Sequence, residues 1–117
     1  MLQFTEHIRA LRAYPYGCAE QTTSGLFASL YLDAATRQRL GLEDEPDEQR
    51  RKAIAIGIGR LLGMQRFNGS FGLWSNESDE EPWLTAYVTD FLQRAREQGF
   101  DVPAAALAKA NERLLRY

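Results

Sequence analysis

Tyr14-Pro15-Tyr16-Gly17-Cys18-Ala19-Glu20-Gln21 holds the only cysteine of the 117-residue chain, with a glutamine three positions after it. A deprotonated thiol is a strong nucleophile, and a glutamine side-chain carbonyl is a latent acyl group. On a helical turn, side chains three apart share a face, with Cβ atoms roughly 5–6 Å apart. Attack of Cys18 on Gln21 with loss of ammonia would close an internal β-cysteinyl-γ-glutamyl thioester, a stored acyl group open to capture by an outside amine or hydroxyl. Gly17 suits a tight backbone bend just before such a turn. The same residues also fit a plainer reading, in which Cys18 is a small buried apolar residue and Gln21 an ordinary helical polar one.

The octapeptide as a whole, followed by Thr22-Thr23-Ser24, resembles the thioester region of the α2-macroglobulin family, particularly its bacterial members. The animal form has Gly between Cys and Glu, where this chain has Ala19, as bacterial members depart from it. The resemblance implies that Cys18 and Gln21 form the thioester, with Cys18 the leaving thiol and Gln21 the acyl donor. It also makes Tyr14 and Tyr16 candidates for shielding the bond from water, and Glu20 a candidate for positioning it.

Outward from this stretch, the bulk properties narrow the field. One domain fits the length. Sixteen acidic against fourteen basic residues give a net charge of −2, with no basic stripe to recognise a nucleic acid. No apolar run approaches the roughly 20 residues of a membrane-spanning helix, so no membrane contact is expected from this segment. The N-terminus lacks the basic start and apolar centre of a signal peptide. One cysteine excludes an intrachain disulfide. No cofactor or metal is expected.

Upstream, residues 5–13 form a short amphipathic stretch ending before Pro15. Its His7 raises the alternative of a Cys18–His7 dyad, against the commoner lone surface histidine. Downstream, Leu26, Phe27, Leu30, Tyr31 and Ala34 mark one face of a helix from Cys18 or Ala19 to Leu40, with Gly41 as its stop. The reactive turn thus opens a helix, where unpaired N–H groups and the positive dipole end favour an anion. An acidic loop, Leu42 to Asp47, leads to a helix over 48–65 with Ala53, Ile54, Ile58, Leu61 and Leu62 inward. Gly57, Gly59 and Gly63 fall inside it, each costing roughly 1 kcal/mol against alanine, which calls for close approach of a neighbouring helix or else a looser, broken helix.

Asn68-Gly69 between Phe67 and Phe71 is a tight-turn signal, so a short β-hairpin or compact loop is expected near 67–74. Gln65, Gly69, Ser70, Phe71 and Trp74 also resemble a pattern of α/α-toroid domains, where such motifs join helices of a hairpin and the aromatic residues plug its end. The acidic run Glu77–Glu81 reads either as a cation site or as a solvated stretch stabilising the next helix N-terminus. Leu84, Tyr87, Val88, Phe91, Leu92 and Ala95 recur at helical spacing after Pro82, with Gly99 as the stop. Pro103 opens a last helix to about Arg116, with Leu107, Ala110, Leu114 and Leu115 inward.

The fold class expected is all-α: helical hairpins from an incomplete α/α toroid, with a small β-turn feature. The resemblance implies that residues 1–117 are a fragment of a thioester domain from a large periplasmic or extracellular protein. Relatives of that kind are broad-spectrum protease traps that acylate the attacking protease once, so target proteases are the expected partners and the inhibitor is not an enzyme. A toroid-type ligand-binding or enzyme module, with an aromatic cavity around Phe71, Trp74 and Trp83, remains the alternative. A fragment should leave Leu107, Leu114, Leu115 and parts of the 48–65 helix uncovered, which predicts self-association, with the ring hydrolysed or left unformed in the isolated segment.

Overall fold

A computed structural model describes residues 18–31, 39 and 47–117. Among these residues the fold is all-α: α1 (Ala19–Tyr31), α2 (Asp47–Leu62), α3 (Pro82–Glu97) and α4 (Ala104–Leu115). The expected stretch over 5–13 and, apart from helical Arg39, the continuation of α1 toward Leu40 lie outside the described residues.

α1 is the middle of the packing, in contact with both α2 and α3, while α4 packs on α3. Its directions follow from side-chain pairs. Ser24 Oγ meets Tyr87 Oη at 2.8 Å and Tyr31 Oη accepts from Arg94 at 3.1 Å, the same sequence offset of 63, so α1 and α3 run parallel. Phe27 fills the space between these pairs, with ring centroids 5.4 Å from Tyr87 and 5.2 Å from Phe91, the latter edge-on. By contrast Ser29 on α1 meets Arg50 on α2 and Leu26 meets Gly57, so α2 runs antiparallel to α1. Antiparallel partners with parallel successive helices are the arrangement of stacked helical hairpins.

The apolar spacing dictates which faces are buried. Leu26 and Leu30 of α1, Ile54, Ile58 and Leu61 of α2, and Leu84, Val88, Phe91, Leu92 and Ala95 of α3 form one core with Leu107 and Ala110 of α4. Removing each such side chain from water is worth about 1.5–3 kcal/mol. Gly57 is where α1 and α2 approach: a Cβ there would lie 2.5 Å from Leu26 Cδ2. The close-approach reading holds for this glycine alone. Gly59 faces open space, and Gly63 lies beyond the helix, which ends at Leu62 rather than 65.

α3 ends in a Schellman motif. Gly99, at φ 93°, donates to Arg96 O, and Phe100 donates to Ala95 O, closing the last turn. In α4, Leu107 and Ala110 are buried, Leu107 at 4% exposure against the expectation that a fragment leaves it uncovered, whereas Leu114 is only half-buried and Leu115 is 87% exposed. Leu115 follows Leu114 by one residue, a rotation of roughly 100° that carries it off the face shared by 107, 110 and 114.

Between α2 and α3 the chain forms two isolated antiparallel bridges, Gln65 with Phe71 and Gly72 with Glu80. Arg66 N donates to Ser70 O at 2.7 Å, and Gly69 N to Arg66 O at 2.9 Å. Gly69, at φ 94°, closes the three-residue loop Phe67-Asn68-Gly69, the glycine-bulge form of hairpin. Asn68 Oδ1 accepts from Ser70 N and Oγ, pinning the turn. Gln65 Nε2 donates to Gly69 O and Ala106 O, tying the loop to α4.

The acidic run does not cap α3. Glu81 holds the cap position without a side-chain cap bond. Glu80 instead accepts from both Nε and Nη2 of Arg113 on α4 and from Tyr117 Oη. These bonds, the Arg113 one foremost, hold its carboxyl down at about 2, against a smaller opposing effect of burial.

Candidate functional site

The turn from Cys18 to Gln21 is built as a helix start. Cys18 sits just before α1, its carbonyl accepting the first helical bond from Thr22 N at 2.9 Å. Gln21 is then the third helical residue, and its side chain folds back so that Oε1 accepts from Cys18 N at 3.3 Å. This is the glutamine half of a capping box: the spacing that would allow ring closure also satisfies a free N–H of the helix start. The side-chain carbonyl of Gln21 is thereby held against the residue that carries the thiol.

Around it, Cys18 is 7% exposed, with its thiol free of any disulfide, whereas Glu20 and Gln21 are exposed. One side of the pair is thus covered by the core and the other faces solvent. Ala19 N donates to Leu73 O at 2.7 Å. The start of α1 is therefore fastened to the loop that the Gln65–Phe71 bridge begins, a contact that sequence spacing alone could not reveal because its partners are 54 positions apart. Tyr14, Tyr16 and His7 lie outside the described residues.

The aromatic cavity does not assemble. Phe71 is fully buried and donates its backbone N–H to Thr85 Oγ1 at 3.2 Å. Trp74 and Trp83 are 62% and 51% exposed. A closed core ring and two solvated indoles do not line a common pocket. Of the aromatic residues expected to plug the hairpin, Phe71 does so and Trp74 does not. A small cleft of about 70 Å³ lies between α1 and α2 beside Thr22, Leu26, Ile56, Gly57 and Arg60. Among the described residues, no three or more of His, Cys, Asp and Glu are grouped to hold a metal ion. No helix among them is long and apolar enough to cross a membrane.

Comparison with known proteins agrees with this fold. The family described as the A-macroglobulin TED domain matches residues 1–116. The alpha-2-macroglobulin of Escherichia coli strain K12 is 60% identical over 116 residues, which cover 99% of this chain and 7% of that protein. Among solved structures, Salmonella alpha-2-macroglobulin reacted with methylamine superposes with a TM-score of 0.87 at 61% identity, over 96% of this chain and 7% of that one. Escherichia coli alpha-2-macroglobulin activated by porcine elastase gives 0.82 at 63% identity, over 90% of this chain and 9% of that one. The chain spans less than a tenth of the length of these relatives. With the family model matching residues 1–116, the chain belongs to the A-macroglobulin family, within the TED domain.

Proposed function

We propose that Cys18 and Gln21 close an internal thioester, and that the segment serves a protease trap as its covalent warhead. The observation that carries this reading is the Gln21 side chain folded back onto Cys18 at the start of α1, with Oε1 3.3 Å from Cys18 N. In closing the ring, Sγ adds to Cδ of Gln21 and Nε2 leaves as ammonia, carrying the thiol proton. In capture, a lysine amine or a hydroxyl adds to Cδ and Cys18 leaves as the thiol. Each molecule acts once, because the acyl group is not regenerated, and in that sense the protein is an inhibitor and not a turnover catalyst. The exposed side of Gln21 gives the nucleophile access, while the covered Cys18 keeps the sulfur from bulk water. Exposed Glu20 is assigned the role of positioning residue, and Tyr14 and Tyr16 that of shielding the bond from water.

Relatives described as activated by porcine elastase and as reacted with methylamine support target proteases as partners and an amine as the minimal nucleophile. A periplasmic or extracellular site of action follows from that partner. Exposed Ile56, at 68%, and Leu115 further support self-association of the isolated segment, which sedimentation checks: a concentration-independent monomer would contradict it. Labelled methylamine tests the thioester. The full-length protein should take up one amine per molecule at position 21 and free one thiol, whereas its Cys18→Ala variant, and the isolated segment with its ring hydrolysed or unformed, should take up none. Equal labelling of the full-length protein and its variant, or labelling elsewhere, would overturn the reading.

A further inference from the structure

We infer that the backbone N–H of Cys18 is a catalytic group of the thioester chemistry, the donor that stabilises the oxyanion on Gln21 Oε1. The inference deepens the thioester reading and rests on it. Three observations on the reactive turn support it. The atom that Cys18 N addresses is Gln21 Oε1, the acyl oxygen itself, at 3.3 Å. The next N–H along, that of Ala19, is already taken by Leu73 O at 2.7 Å, so it does not compete for that oxygen. Cys18 is 7% exposed, which keeps water from substituting for the donor on its covered side.

The role follows from the electron flow. When Sγ adds to Cδ of Gln21, the C=O π pair moves onto Oε1. The tetrahedral carbon then expels Nε2, which leaves as ammonia with the proton given up by Sγ. When an amine later adds to Cδ, the same oxygen takes the charge again. The Cδ–Sγ bond then breaks, and Sγ takes the proton lost by the amine nitrogen, leaving an N-substituted amide at position 21. Oε1 is retained through both steps, so one fixed donor serves closure and capture alike. A donor aimed at the oxygen where charge develops acts most in the transition state. A separation of 3.3 Å to the resting carbonyl is of the kind that tightens as charge grows.

An amide-to-ester replacement of the Gly17–Cys18 linkage removes this one N–H and keeps the thiol, the glutamine and every side chain. Methylamine uptake by the thioester form should slow on the order of 10²-fold, the loss typical of a single oxyanion donor. The thioester carbonyl stretch, read by isotope-edited infrared with ¹³C-labelled glutamine, should move to higher frequency in the ester chain. A purely structural capping bond predicts lower helix content with the uptake rate of the folded fraction unchanged, and that outcome overturns the inference. If the ester chain does not fold, the wild-type band decides: a frequency equal to that of a non-hydrogen-bonded alkyl thioester overturns it, and a lowered one supports it. No thioester band and no uptake in the full-length wild-type protein would overturn the thioester reading, and this inference with it.

Discussion

Cys18 shows how much a single position can carry when its partner is three residues away. The i, i+3 relation between Cys18 and Gln21 is visible in the sequence, and the structure places both at a helix start with the glutamine carbonyl turned back. What the sequence could not show is the fastening of Ala19 N to Leu73 O, because nothing local links a helix start to a loop 54 residues on. It also could not show that Trp74 stands in solvent while Phe71 is wholly covered, since an aromatic pattern carries no record of which ring turns inward. Because Cys18 is small, Cys18→Ala should keep the helical signal within error and cost at most about 1 kcal/mol, one buried group's worth. Circular dichroism with urea unfolding measures both. A collapsed fold would make Cys18 a core residue before anything else.

At the scale of the helices, the apolar periodicity marked which faces turn inward, and most of α3 follows it. Helix ends were less legible. α2 stops at Leu62, where the chain turns through Gly63 and Met64 into the Gln65–Phe71 bridge, and Leu115 rotates off the buried face of α4. The glycines of α2 illustrate the same limit, since sequence treats Gly57 and Gly59 alike and packing does not. At Gly59 an added methyl meets open space, so Gly59→Ala should stabilise by about 0.5–1 kcal/mol through helix propensity alone. At Gly57 the methyl would press on Leu26 Cδ2 at 2.5 Å, and overpacking of about 1–3 kcal/mol opposes the propensity gain. Gly57→Ala should therefore be less stable than Gly59→Ala, read as the urea midpoint of each. The reverse order would mean that α1 and α2 do not approach at this point.

Over the whole molecule, one ion pair joins the loop before α3 to the end of α4. Glu80 and Arg113 are each about a quarter exposed, and Tyr117 adds its hydroxyl to the same carboxylate. Since the Glu80 carboxyl is lowered from 4.5 to about 2 by folding, its contribution is fully present above about pH 4.5 and is lost as the pH falls toward about 2. Glu80→Gln should flatten that part of the stability profile and leave the slope above pH 4.5 unchanged. The urea midpoint followed against pH in both chains checks this. Identical slopes through the acidic window would mean the pair is solvated away.

The stacked-hairpin arrangement was legible from the family-like motifs, whereas the parallel register of α1 and α3 came only from pairs such as Ser24 with Tyr87. The proposed function rests on one turn, from Cys18 to Gln21. The most direct test of that turn is the intact mass of the protein isolated from its host under amine-free conditions. The account predicts a mass short by one ammonia, restored as an N-methyl amide at position 21 when methylamine is added, with one thiol appearing at Cys18. A chain of full mass, with unmodified Gln21 and a thiol reactive from the outset, would contradict it.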